Sequence, residues 1–249
     1  MTTQSRIEWT EQTWNPTTGC TKISPGCKHC YAEVMAVRLH AMGAAGYENG
    51  FNLTLLPERL MQPVRRKNPT VYFVNSMSDL FHEDVPDRFL DQVFSVIRET
   101  PQHTYQILTK RAYRLLKYFG GRACPNNVWL GVSVEDRLYG VPRIDYLRQV
   151  DAHVRFLSVE PLLEDVGEID LAGIHWVIVG GESGARARPM KPEWVQRVKQ
   201  QADESGAAFF FKQWGGWGAD GVKSHKKANG RMFAGRTWDD YPRSRQLSL

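Results

Sequence analysis

From residue 50 onward, short apolar runs alternate with stretches whose apolar residues recur every three or four positions. The segments 70–74 (TVYFV), 104–108 (TYQIL), 128–134 (VWLGVSV), 154–159 (VRFLSV), 176–181 (WVIVGG) and 207–212 (AAFFFK) read as strands, rich in β-branched and aromatic residues. FNLTLL at 51–56 has the same character in a shorter context. Between the strands, 86–100 places Phe89, Leu90, Val93, Phe94 and Ile97 on one helical face behind a starting proline. Helices are predicted likewise over 113–121, 141–150 and 191–206, the last with a proline near its start and a glycine just past its end.

Strand–helix alternation of this kind predicts parallel strands joined by helical crossovers, and strands apolar throughout predict burial of both faces. The expected class is α/β: a (β/α) barrel or partial barrel, TIM-like, or an open doubly wound sheet. No GxGxxG follows the early strands, which weakens the dinucleotide-binding form of the open sheet. Residues 1–213 are expected to form the barrel-like domain, with an N-terminal loop at 14–31. Residues 214–249, rich in Gly, Trp and basic side chains, are expected to be an irregular extension packed on it.

With 42% hydrophobic and 24% charged residues, the chain has the composition of a globular protein and not of a disordered one. It contains no apolar run long enough to span a membrane. Residues 1–16 show neither an apolar h-region nor a small-residue cleavage site, so the expectation is a cytoplasmic protein. A net charge of +5 suits a phosphate-bearing partner without requiring one.

Polar residues gather where the strands end. Ser133-Val134-Glu135 and Ser158-Val159-Glu160 repeat one pattern, in which Ser and Glu share a face and Val points the other way. Asn75, Ser76, Ser78 and Asp79 follow the 70–74 strand, and Thr109, Lys110 and Arg111 follow the next. Glu182 and Ser183, then Lys212 and Gln213, follow the last two. One such cluster could merely hydrate a barrel mouth. A run of such strand ends marks a ligand-binding rim, since that end of the strands carries the sites of parallel α/β folds. The rim supplies Asp79, Lys110, Glu182 and Lys212 as candidate catalytic side chains.

The densest chemistry is CTKISPGCKHCYAE at 20–33, in which Cys20, Cys27 and Cys30 are spaced C-x6-C-x2-C around a Pro25-Gly26 turn. In a reducing compartment such clusters are metal ligands or redox groups before they are disulfides. Residues 31–43 read as a helix, so its N-terminus lies beside the thiols and favours their negative form. Structural zinc would need a fourth ligand from His29, His40 or Cys124: His29 sits between two of the cysteines, and Cys124 precedes a strand that spans ~23 Å at ~3.3 Å per residue. A redox dithiol at Cys27 and Cys30 leaves Cys20 unexplained. An iron–sulfur cluster on three thiolates, with one iron left open, uses all three.

Three clustered cysteines ahead of a helix and a (β/α) series resemble the radical S-adenosylmethionine superfamily. The stretches TWNPTTGCTKISPGCKHCYAE, VNSMSDLFHE, ILTKR, LGVSVED, SVEPL, VGGESG and FFFKQWG resemble more closely a phage- and prophage-associated three-cysteine branch whose reaction is unknown. The resemblance implies that Cys20, Cys27 and Cys30 ligate a 4Fe–4S cluster. S-adenosyl-L-methionine would bind the fourth iron and be cleaved reductively to methionine and a 5′-deoxyadenosyl radical. A one-electron donor such as flavodoxin or ferredoxin would be the redox partner. Tyr31 would shield the cluster or contact the adenine, and Asn75, Ser133, Glu135, Ser158 and Glu160 would hold the cofactor.

Two features depart from that pattern. The superfamily's usual first spacing is three residues where this chain has six, and Gly180-Gly181-Glu182, which looks like a cofactor-binding GGE segment, follows a late strand and not an early one. Lys110, Arg111, Lys212 and the basic run at 224–227, with Trp214, Trp217 and Trp238, suit a nucleotide or nucleic-acid substrate. The same tryptophans could instead pack the tail. The competing readings are a nucleic-acid-binding protein with structural zinc and a hydrolase using the carboxylates at 135, 160 and 182.

Overall fold

The computed structural model describes residues 7–242. Residues 1–6, the start of the segment read for an export signal, and 243–249, the end of the expected extension, lie outside them. The main sheet contains β1 (Gln12–Trp14), β4 (Val71–Val74), β5 (Thr104–Thr109), β6 (Val128–Ser133), β7 (Val154–Val159), β8 (Trp176–Gly180) and β9 (Ala208–Gln213), hydrogen-bonded in that order. The registered pairs β1·β4, β4·β5, β7·β8 and β8·β9 are all parallel. Helices α2 (Asp87–Glu99), α3 (Ala112–Phe119), α4 (Arg143–Arg148) and α5 (Pro192–Ser205) lie between successive strands, and α1 (Tyr31–Ala41) follows the cysteine loop. The fold is α/β, a partial (β/α) barrel of parallel strands with helical crossovers. A second pairing, β2 (Thr17–Thr18) with β3 (Thr54–Leu55), is antiparallel.

The chain forms two compact units, one of residues 7–23, 30–131 and 149–153, the other of 24–29, 132–148 and 154–242 within the described span. In the first, Tyr72 and Tyr105 stack at 5.5 Å and Trp14 packs edge-on against Tyr105. On α2 the predicted face is the buried one, with Phe89, Leu90, Val93, Phe94 and Ile97 all inside. Phe94 there meets Phe81, Tyr118 and Phe119. In the second unit, Trp176 sits against Phe156, Phe210 and Tyr241. Helix α5 starts on Pro192 and is closed by Gly206 in the left-handed conformation (φ 72°), which a residue without a side chain adopts freely.

Two elements differ from the sequence pattern. Only Thr54–Leu55 of the expected 51–56 strand is extended. Asn52 N–H closes a turn on Asn49, and the Phe51 carbonyl is taken by Cys20 N–H at 3.1 Å. Strand β1 lacks an apolar run and is held by its register against β4, Gln12 beside Tyr72 and Trp14 beside Val74. After β9, Trp238 carbonyl accepts Phe211 N–H at 2.9 Å and Asp239 bridges to Phe210 in antiparallel fashion.

Candidate functional site

None of the four cysteines is in a disulfide, and each is half-buried. Among the described residues, no three His, Cys, Asp or Glu side chains are gathered closely enough to hold a metal ion. The loop that carries the thiols is nevertheless held by ion-paired arginines in each unit.

In the first unit the holder is Arg111, buried at the end of β5. Its Nη1 donates to Cys20 Sγ at 3.4 Å and to Asp79 Oδ2 at 3.1 Å. Its Nε donates to Glu83 Oε2 at 2.7 Å, and its Nη2 to the Thr21 hydroxyl at 2.8 Å and carbonyl at 3.2 Å. Asp79 also accepts the Thr109 hydroxyl at 2.7 Å and Lys110 N–H at 3.0 Å, so its carboxylate is fully engaged. Burial opposes the charge on Arg111, but Asp79, Cys20 and Glu83 outweigh it and raise its pKa. His82 accepts Asp84 N–H on Nδ1 at 3.1 Å, which leaves Nε2–H to donate to Thr21 Oγ1 at 2.9 Å. Burial first, then Arg111, lowers the His82 pKa and keeps the ring neutral.

Cys30 is the N-cap of α1, and it packs with Ala32, Ala36, Tyr47 and Met77. Gly19 (φ 77°) approaches the Asn52 backbone so closely that a Cβ would lie 2.1 Å from its carbonyl oxygen, which allows no side chain immediately before Cys20. At the end of β4, Asn75 takes up the left-handed conformation (φ 60°) and donates from Nδ2 to Thr17 Oγ1 at 2.8 Å. Thr17 in turn bonds Ser78 Oγ at 2.8 Å. The Asn75 amide oxygen is buried and has no hydrogen-bond partner. Tyr31, exposed on α1, donates its hydroxyl to the Ser76 carbonyl.

In the second unit, residues 24–29 are held by two carboxylates. Glu135, wholly buried, accepts the Ser24 hydroxyl on one oxygen and Arg143 Nη1 at 2.6 Å on the other. Arg143 Nη1 also donates to the Ser133 carbonyl at 2.7 Å. Gly26 passes directly over this carboxylate, where a Cβ would lie 2.9 Å from Oε1. Glu182 accepts Arg188 Nε at 2.9 Å, Nη2 at 2.5 Å and backbone N–H at 2.8 Å. Arg188 Nη2 then reaches the Pro25 carbonyl at 3.0 Å. Burial alone would raise the Glu182 pKa; the Arg188 hydrogen bonds and charge reverse this and lower it.

The remaining candidates have other partners. Glu160 is paired with Lys212, and Ser158 is buried with its carbonyl taken by Val134 N–H at 2.9 Å. Lys110 contributes its backbone N–H to Asp79. Trp214, Trp217 and Trp238 donate their indole N–H to the Met232, Ala187 and Phe233 carbonyls, so each packs the tail. The carboxylates are visible in the sequence as strand-end residues, while the contacts of Arg111, Arg143 and Arg188 are not. The short spacings from Glu135 to Arg143 and from Glu182 to Arg188 were the available signal.

Fold and site together define an α/β protein with three cysteines, close in sequence, on an arginine-clamped loop. The chain belongs to a family described as a protein of unknown function, DUF5131, whose model matches residues 4–242. No curated protein matches it. Among solved structures it is similar to spore photoproduct lyase complexed with dinucleoside spore photoproduct, at 13% identity and a TM-score of 0.48, over 82% of this chain and 64% of that one. A mutant of the same lyase with bound AdoMet and the dinucleoside is similar at 13% identity and a TM-score of 0.47, with the same coverage. The chain thus spans less than two thirds of the length of those proteins. Among the described residues, no helix is long and apolar enough to cross a membrane.

Proposed function

We propose that the protein is a radical S-adenosylmethionine enzyme of the three-cysteine, phage-associated branch its motifs resemble, with Cys20, Cys27 and Cys30 as ligands of a 4Fe–4S cluster. The observation that carries the reading is the loop itself: three thiols outside any disulfide, one of them hydrogen-bonded by a guanidinium and one on the residue at the N-cap position of a helix. A cation and a helix N-terminus are the surroundings in which thiolate ligands are stable, so the donor chemistry fits the cluster. When bound, the cluster supplies the single electron that cleaves S-adenosylmethionine and so starts hydrogen abstraction.

The chain's own part is placement. Asp79, Glu135 and Glu182 act through arginines or Ser24 on the loop and are positioning residues. Asn75 presents a buried amide oxygen without a partner, a cost unless a ligand N–H or O–H reaches it, and it would accept a hydrogen bond from the cofactor. Ser133 and Ser158 are cofactor contacts by the motif resemblance alone. An electron donor and a nucleotide-class substrate complete the reading.

The test is anaerobic reconstitution followed by an S-adenosylmethionine cleavage assay. The parent should cleave the cofactor and Cys27→Ala should lose both bound iron and cleavage. Retention of activity in Cys27→Ala would move the chemistry to the carboxylates and contradict the proposal.

A further inference from the structure

At the ends of β7, β8 and β9, one polar cluster takes no part in holding the loop. Both oxygens of Glu160 accept Lys212 Nζ, at 3.0 and 2.8 Å, and the two side chains retain 19% and 16% exposure. Beside them Gln213 is buried, with Nε2 donating to the Gly181 carbonyl at 2.8 Å and to Glu160 Oε1 at 3.4 Å. Its Oε1 is buried and has no partner. Gly180 lies beneath the carboxylate, where a Cβ would be 3.1 Å from Glu160, so the acidic group rests on bare backbone. Arg231 Nε donates to the Lys212 carbonyl at 3.0 Å.

The hydrogen-bonding groups left unused in this cluster narrow the ligand. An ammonium has three protons, and two of those on Lys212 are spent on Glu160. One donor remains, next to unused lone pairs on Glu160 and on Gln213 Oε1. The complementary ligand edge presents two donors and one acceptor. Phosphates and carboxylates offer acceptors alone and would face Glu160. Uracil and thymine place one donor between two acceptors, while adenine and cytosine carry a single amino donor. Guanine has O6 as acceptor with N1–H and the N2 amine as donors. We propose that Glu160, Lys212 and Gln213 form a recognition subsite for a guanine base: O6 on Lys212, and the two nitrogen donors on Glu160 and Gln213. The inference rests on reading the strand ends as the active-site rim, and it names the substrate class for that rim. The base could come from a mononucleotide or from a nucleic-acid strand, which share this edge.

The experiment is calorimetric titration of the full-length protein with GMP, IMP, AMP, UMP and a short single strand containing one guanine. GMP or the strand should bind, and whichever is tighter identifies the source. IMP, which lacks the N2 amine, should bind at least tenfold more weakly, and AMP and UMP weaker still. Glu160→Gln should weaken guanine binding at least tenfold, and Gln213→Leu should abolish the preference for GMP over IMP, each with an unchanged circular dichroism spectrum. Equal binding of all four nucleotides, displacement of GMP by free methionine, or no nucleotide binding would each overturn the proposal. Iron content is measured on the same samples. Guanine binding without a cluster would sink the radical reading alone, and a cluster without guanine preference would sink this one alone.

Discussion

Removing the Arg111 guanidinium would leave the buried Asp79 without its cation and Cys20 and Thr21 without their donors. Breaking a buried pair from one side typically costs about 3–5 kcal/mol. Arg111→Met should therefore lower the unfolding free energy by roughly that amount in urea titration, whereas Arg111→Lys should recover part of it, because a lysine keeps the charge but not the planar fork. At Gly19 the obstacle is steric: an added Cβ meets the Asn52 backbone and the left-handed φ is strained. Gly19→Ala should cost ~2–3 kcal/mol by the same assay. Protonation adds a pH dependence. His82 and His103 both have lowered pKa values, burial being the first cause in each. In the unfolded chain an imidazole takes up a proton near pH ~6.5, while these two resist it when folded, so stability falls as pH drops below about 6.5. The depressed Glu182 carboxyl adds a second loss below pH ~4.3, as pH approaches its lower folded value. The melting temperature should drop between pH 7 and pH 5, and His82→Gln should reduce that drop; an unchanged slope would contradict the neutral buried ring.

At the scale of elements, α2 is the most legible in the sequence, because its apolar spacing alone specifies which face is buried. Phe94→Ala opens a hole among Phe81, Tyr118 and Phe119, and should cost about 3–5 kcal/mol, read as a fall in denaturation midpoint at unchanged slope. The six apolar strands were equally legible, since burial on both faces writes itself as an unbroken run. Strand β1 was not, because three residues with alternating burial carry no periodic signal and owe their conformation to β4. The 51–56 segment misled for the converse reason: its β-forming residues are overridden by a turn that serves the cysteine loop. The sequence marked polar residues at the strand ends and said much less about what surrounds each of them. Glu135 and Glu182 stood out as carboxylates at strand ends, but whether such a group is open or saturated depends on arginines whose direction no local pattern reports. Asn75 and Gln213 were visible as polar strand ends, while their unpartnered oxygens emerge only from the packing around them.

For the molecule as a whole, the strand order follows the chain order, so every rim residue sits at the C-terminal end of its own strand and polar groups far apart in sequence share one kind of position. A modest excess of positive charge, +5 over 249 residues, leaves room for a nucleotide-class substrate. The central claim is that the cysteine loop holds a cluster with an open iron. The most direct measurement is the iron and sulfide content of anaerobically reconstituted protein, with the EPR spectrum of its reduced state recorded with and without S-adenosylmethionine. The account predicts about four irons per chain, the complement of a 4Fe–4S cluster, and a spectrum that shifts when the cofactor is added. Stoichiometric zinc with no uptake of iron would contradict it.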